Sequence, residues 1–315
     1  MGERVWLIGL LALLGAGWGV TQPLAKIAVS EGYRHFGLIF WQLVISGTLL
    51  GLVVALRGRG LPFGRAQVVM CVVIALIGTV LPNAASYQAA VYLPAGVLSI
   101  LLSLVPIFAF PVALLLATDA FSWLRLGGLV CGLFGVVLLV GPEASLPEAW
   151  MVAFIPLALI APAFYGIEGN VVAKFGTAGL DPIQLLCGAS FVGACIALPL
   201  ALLSGHWIDP RPPWGAPDLA LVVSSAVHAV VYTAYVWLVG RAGAVFAAQV
   251  SYLVTGFGVL WSMTLLAERY SGWVWGAMAV MFLGLFLVQP RPRPALVPAR
   301  EAGQDGARKA GPGRA

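Results

Sequence analysis

Ten apolar runs of membrane-spanning length follow one another along this chain, most of them joined by only a few residues. They cover approximately residues 5–28, 36–56, 67–90, 95–117, 123–141, 149–173, 182–204, 218–239, 243–266 and 272–289. A helix needs about 20 apolar residues to cross the hydrocarbon of a bilayer. Within that hydrocarbon the backbone N–H and C=O groups must be paired inside the segment, so only helices and closed barrels span it. A barrel would show shorter segments of alternating polarity, and these runs do not alternate. The chain is read as an all-α polytopic membrane protein with ten transmembrane helices.

Composition agrees. Of 315 residues, 61% are hydrophobic and only 9% charged, against about 25% charged in soluble chains. So few ionic groups cannot cover a soluble globule, which excludes a soluble enzyme, a nucleic-acid binder and a disordered protein. The lipid bilayer is the expected surrounding. Net charge is +5, but six of the seventeen bases lie beyond residue 290, in a Gly- and Ala-rich tail expected to be disordered. Cys71, Cys131, Cys187 and Cys195 all fall in apolar runs and imply no disulfide framework. The run from Val5 to Val29 is too long for a secretory signal and is followed by further spans.

With a cytoplasmic N-terminus, the inner segments carry 13 Lys and Arg and the outer ones 4. The positive-inside rule then places both termini in the cytoplasm, and a bacterial inner membrane is the expected location. Most tryptophans fall at predicted interfaces. Trp18, nearer the middle of the first helix, does not.

The chain also resembles itself at an offset of about 147. Gly17-Trp18-Gly19 followed by Lys26 matches Phe164-Tyr165-Gly166 followed by Lys174, and three further matches keep the same order. The expected organisation is a short N-terminus (1–4), a first five-helix repeat (5–141), an outer linker (142–148), a second repeat (149–289) and the tail (290–315). Five spans is an odd number, so the second repeat is inverted in the membrane. Inverted repeats meeting at a midplane site are a recurrent plan of secondary transporters.

These features resemble the drug/metabolite transporter superfamily, specifically its EamA-like branch. The resemblance rests on the five-plus-five repeat, Trp18-Gly19 with Lys26, Tyr92-Leu93-Pro94-Ala95-Gly96, Pro106, Ala267-Glu268-Arg269, Trp273 and the Gly-rich last helix. It covers roughly residues 5–290 and departs at Asp119, usually Glu, and at Leu253, where Pro would mirror Pro106. It implies export or exchange of small metabolites, often amino acids.

An ionisable group in hydrocarbon costs about 2.5–3.5 kcal/mol even on insertion scales. Glu168, in the inner half of the sixth run, has no base at i+3 or i+4 and needs a distant partner, water or a proton. His228, Tyr232 and Tyr235 share one helical face, and the repeat sets Asn83 opposite His228 and Tyr87 opposite Tyr232. Trp18, Gln249 and Tyr252 complete the candidate lining of a central cavity, with Ser99, Ser103, Gln42 and Gln88 as weaker candidates. The competing reading is that such polar stripes only join helices. No nucleophile constellation, metal spacing or phosphate loop is visible, so neither an enzyme nor a cofactor is expected. The chain is read as a secondary transporter of a small-molecule substrate, polar or amphipathic, by alternating access. Proton coupling and recognition of a substrate ammonium both remain open for Glu168. The rival classes are a membrane-embedded enzyme acting on lipid and a non-transporting sensor.

Overall fold

The computed structural model describes residues 2–140, 146–242 and 249–288. Among these residues it is helical throughout its regular structure. In chain order the helices are α1 (Gly2–Ser30), α2 (His35–Leu56), α3 (Arg65–Tyr92), α4 (Ala95–Leu115) and α5 (Trp123–Val140). There follow α6 (Ala149–Phe175), α7 (Pro182–Leu203), α8 (Ala216–Ala242), α9 (Val250–Leu265) and α10 (Gly272–Val288). Eight are long and apolar enough to cross a membrane, and α9 and α10 are shorter apolar helices. The predicted span 243–266 begins on residues outside the described set, as do most of the 142–148 linker and the whole 290–315 tail. The helix α1 begins at Gly2, so it takes in most of the predicted N-terminal segment 1–4.

Two prolines shape the long helices. Pro82 cannot donate to the carbonyl of Gly78, and the turn Leu76–Val80 just before it is wound as π-helix, with Leu81 N bonded back to Leu76 O. Pro106 likewise cannot serve Leu102, and α4 breaks at Ser103–Leu104, where Ser103 N and Leu104 N bond to Ile100 O and Leu101 O. The run predicted as one helix over 95–117 is therefore two helical pieces, Ala95–Leu102 and Val105–Leu115. Helix starts are capped from neighbouring turns. Asp181 accepts from Ile183 N and Gln184 N at the start of α7, and Gln184 Oε1 accepts from Asp181 N. Glu268, from the α9–α10 turn, accepts from Ala95 N and Gly96 N at the start of α4.

The helices pack in a pattern that survives exchange of the two halves. The nine most extensive pairs are α5–α10, α2–α7, α4–α9, α1–α8 with α3–α6, α1–α9 with α4–α6, and α2–α8 with α3–α7. Replacing each helix by the one five places along maps this set onto itself. The same relation holds at the level of residues. A Cβ on Gly19 would lie 2.8 Å from Gly258 N, and one on Gly166, 147 positions later, 2.8 Å from Ala109 N. Both glycines let α1 and α6 lie backbone to backbone against α9 and α4, as small residues do between helices in lipid.

Candidate functional site

A central cavity of about 360 Å³ lies between α1–α4 and α6–α9. Neither α5 nor α10 lines it. Its walls are built from paired positions. On α3 and α8 the pairs are Thr79 with Ser224, Asn83 with His228 and Tyr87 with Tyr232, each 145 residues apart and each a helical turn beyond the last. On α1 and α6 they are Trp18 with Tyr165 and Thr21 with Glu168, each 147 apart. Gly78 and Leu102, whose carbonyls Pro82 and Pro106 leave without their usual helical donors, line the same space. Broken or rewound helices at cavity depth are tolerated because the freed groups face the cavity.

The polar groups of the lining differ in how they are satisfied. Tyr165 Oη donates to Asn83 Oδ1 at 2.8 Å, and Asn83 Nδ2 donates to Gln42 Oε1 at 3.1 Å. Tyr87 Oη donates to the same Gln42 oxygen at 2.7 Å. This ties α6, α3 and α2 together. The Glu168 carboxylate, on α6 beside Gly78 of α3, and the His228 ring of α8 bond to none of the described residues. The buried Nε1–H of Trp18 is likewise without a hydrogen-bond acceptor. Trp18 and His228 face each other with ring centroids 6.2 Å apart, and Tyr232 stacks beyond His228 at 6.4 Å. Among the described residues, Glu168 is the one carboxylate in the lining, and no Lys or Arg lines the cavity. A built Cβ on Gly78 would come within 2.7 Å of Glu168 Cδ, so the bare backbone there makes room for the carboxyl group.

Of the nine residues singled out in the sequence, Glu168, His228, Asn83, Tyr87, Tyr232 and Trp18 share this lining. Tyr235, Gln249 and Tyr252 do not belong to it. Tyr235 packs against Trp18 at 5.1 Å within the apolar cluster of Leu11 and Leu14. Gln249 sits immediately before α9. Tyr252 packs edge-on against Phe282 of α10 at 5.5 Å, with its hydroxyl unpaired. Of the weaker candidates Gln42 lines the cavity, whereas Ser99 and Ser103 bond to carbonyls of their own helix. Gln88 lies farther along α3, against His35 at 3.2 Å. Thr79, Ser224, Thr21 and Tyr165 escaped the sequence reading as site residues. The 145 and 147 offsets that pair them were the available signal.

A second cavity of about 260 Å³ lies at the end of the bundle that carries the α1–α2 and α3–α4 connections. Tyr87 lines both cavities and so forms the partition between them. At this end Lys26 Nζ of α1 donates to Ala90 O at 2.7 Å and Val91 O at 3.1 Å, pinning α1 to α3. Its counterpart Lys174 instead donates to Leu116 O, at the end of α4, at 2.5 Å.

The sequence profile of the EamA-like transporter family matches the chain twice, over residues 5–141 and 153–289. A probable terminal-alkyne amino-acid exporter of Streptantibioticus cattleyicolor is 22% identical over 220 residues, 67% of this chain and 68% of that protein. An uncharacterised transporter of Archaeoglobus fulgidus is 22% identical over 192 residues, 61% of this chain and 65% of its own, just under two thirds. A solved crystal structure superposes with a TM-score of 0.62 at 18% identity, covering 89% of this chain and 95% of that one. That last likeness is one of fold.

Proposed function

The chain belongs to the EamA-like transporter family, and from that membership we propose that it is a secondary transporter that exports or exchanges small zwitterionic metabolites of the amino-acid class by alternating access. The observation that carries the substrate class is the set of polar groups in the central cavity that bond to no described residue. Glu168 supplies a negative charge with no neighbouring base, which suits a substrate ammonium. The Trp18 Nε1–H, free of any acceptor, and His228 supply neutral donors for a carboxylate. The name of the Streptantibioticus relative, an amino-acid exporter, points the same way.

Alternating access is supported by the exchange-symmetric packing and by the two lysines. Lys26 closes the α1–α3 seam, whereas Lys174, its counterpart, does not hold the equivalent α6–α8 seam. In the proposed cycle the two seams take turns. We take ten spans, an inverted second repeat and cytoplasmic termini as the topology. The 13-to-4 division of bases and the twofold family match support it, and it puts the Lys26 seam on the outer side.

Counterflow of labelled amino acids in proteoliposomes of the full chain tests the reading. Glu168→Gln should raise the apparent substrate constant by about 10–150-fold at every pH, the equivalent of about 1.5–3 kcal/mol for a hydrogen bond to a charged group. An unchanged constant with a flattened pH profile would instead assign Glu168 to proton coupling. No flux of any amino acid by the wild type, together with consumption of lipid, would replace the transporter by a lipid enzyme.

A further inference from the structure

The second cavity is built differently from the first. Its polar lining is Tyr33, Arg34, His35, Tyr87, Gln88 and Tyr92. Among the described residues it contains a guanidinium and no carboxylate, whereas the central cavity contains a carboxylate and no guanidinium. Arg34 forms no salt bridge with any described residue. Ion pairs among the described residues join Arg57 and Arg59 to Asp181, Arg125 to Asp119 and Arg211 to Asp209. Of the acids near this rim, Asp218 is already engaged by the Tyr33 hydroxyl at 2.5 Å and by Gly215 N at 2.8 Å, and Glu31, three residues before Arg34, forms no ion pair with it. The guanidinium of Arg34 therefore has no ion-pair partner among the described residues and borders a polar chamber, one tyrosine away from the central site.

We propose that this vestibule is a second binding station, where Arg34 takes the carboxylate of a small zwitterion on the outer side of Tyr87. The inference rests on the transport reading above and adds to it a place, a residue and a selection rule. A planar guanidinium fits a carboxylate with two parallel hydrogen bonds. The tyrosine hydroxyls of Tyr33 and Tyr92 and the Gln88 amide are polar partners for the rest of the molecule. Glu168 attracts the ammonium end and Arg34 the carboxylate end, so a molecule with both charges is favoured at both stations in turn. A simple amine satisfies Glu168 and is repelled by Arg34. Passage through the vestibule thereby discriminates against amines without any steric filter.

The test uses three probes applied from outside to right-side-out vesicles of the full chain. They are L-propargylglycine, its methyl ester and but-3-yn-1-amine, which share the side chain and differ in the carboxylate. Inhibition of counterflow gives an apparent constant for each. For Arg34→Gln, the L-propargylglycine constant should rise about tenfold, the scale of one charge-assisted contact. The ester and amine constants should stay level or fall, and Arg34→Lys should recover part of the loss. An equal rise for all three probes, or none for L-propargylglycine, overturns the vestibule site and leaves the central one standing. Failure of all three probes to act on wild type overturns both readings. Arg34→Gln protein that does not fold is recognised by its thermal unfolding profile, and Arg34→Lys then decides alone, by whether it weakens L-propargylglycine more than the amine.

Discussion

Tyr165 Oη lies 2.8 Å from Asn83 Oδ1 and donates to it, whereas Trp18 and His228, which occupy the corresponding places in the other half, face each other without a hydrogen bond. Equivalent positions thus do different work. One pair knits a wall and the other leaves its polar groups without partners among the described residues.

Removing the Tyr165 hydroxyl strips Asn83 of a donor and costs about 1–3 kcal/mol. Tyr165→Phe should lower the thermal midpoint in detergent while changing the apparent substrate constant less than about threefold, within about 0.7 kcal/mol. His228→Asn, which installs the residue that the repeat holds at position 83, should do the reverse. Matched midpoint and transport measurements on both variants check the contrast.

Gly78 gives the Glu168 carboxyl its space. Gly78→Ala places a methyl group within 2.7 Å of Glu168 Cδ, so the carboxyl must rotate away. Overpacking of this kind costs about 1–3 kcal/mol. The substrate constant should rise at least about fivefold, the equivalent of about 1 kcal/mol. Gly169→Ala has nothing within 4 Å of the new methyl group and should leave it unchanged.

Lys26→Met removes two contacts from the α1–α3 seam. The outward-open population should grow. In a background lacking the four native cysteines, Ser86→Cys should react several-fold faster with an impermeant maleimide added outside. No change in labelling would mean that the lysine does not hold the seam.

Tyr33 joins the α1–α2 turn to α8 through Asp218. Burial, and then the hydrogen bond to that carboxylate, pushes its phenol up from 10.0 to about 12. A raised folded-state pKa gives stability that is full below the unfolded value near 10 and fades as pH rises through about 12. Wild type should therefore exceed Tyr33→Phe by about 1–2 kcal/mol in stability up to pH ~10, and the gap should close by pH ~12. Midpoints measured across that range decide it.

The helices were legible because lipid imposes one rule on every span, and runs such as 36–56 and 182–204 reappear as α2 and α7 within a residue or two. What periodicity could not convey was the local cost of proline. Pro82 and Pro106 sit inside apolar runs, and only coordinates show the π turn before one and the break before the other. At the site, the paired offset located Asn83, Tyr87, His228 and Tyr232, since helices related by a repeat present the same face. One turn further the same offset pairs Thr79 with Ser224, whose small hydroxyls do not stand out within an apolar run. Tyr235 shares the helical face of His228, but α1 lies over it, and the Trp18 ring takes the contact a ligand would have had. Gln42 comes from a helix with no matched polar partner, so no repeat could flag it.

Three of the closest helix pairs, α5–α10, α2–α7 and α4–α9, map onto themselves when the halves are exchanged. Each is the contact that two identical chains would share across a two-fold axis, with the same surface on both sides. Two identical five-helix chains paired in that way would carry the same residue at both places, so Thr21 against Glu168 requires two halves of different sequence. The acid at the heart of the cavity is in that sense an asymmetry that a symmetric dimer could not have kept to one side.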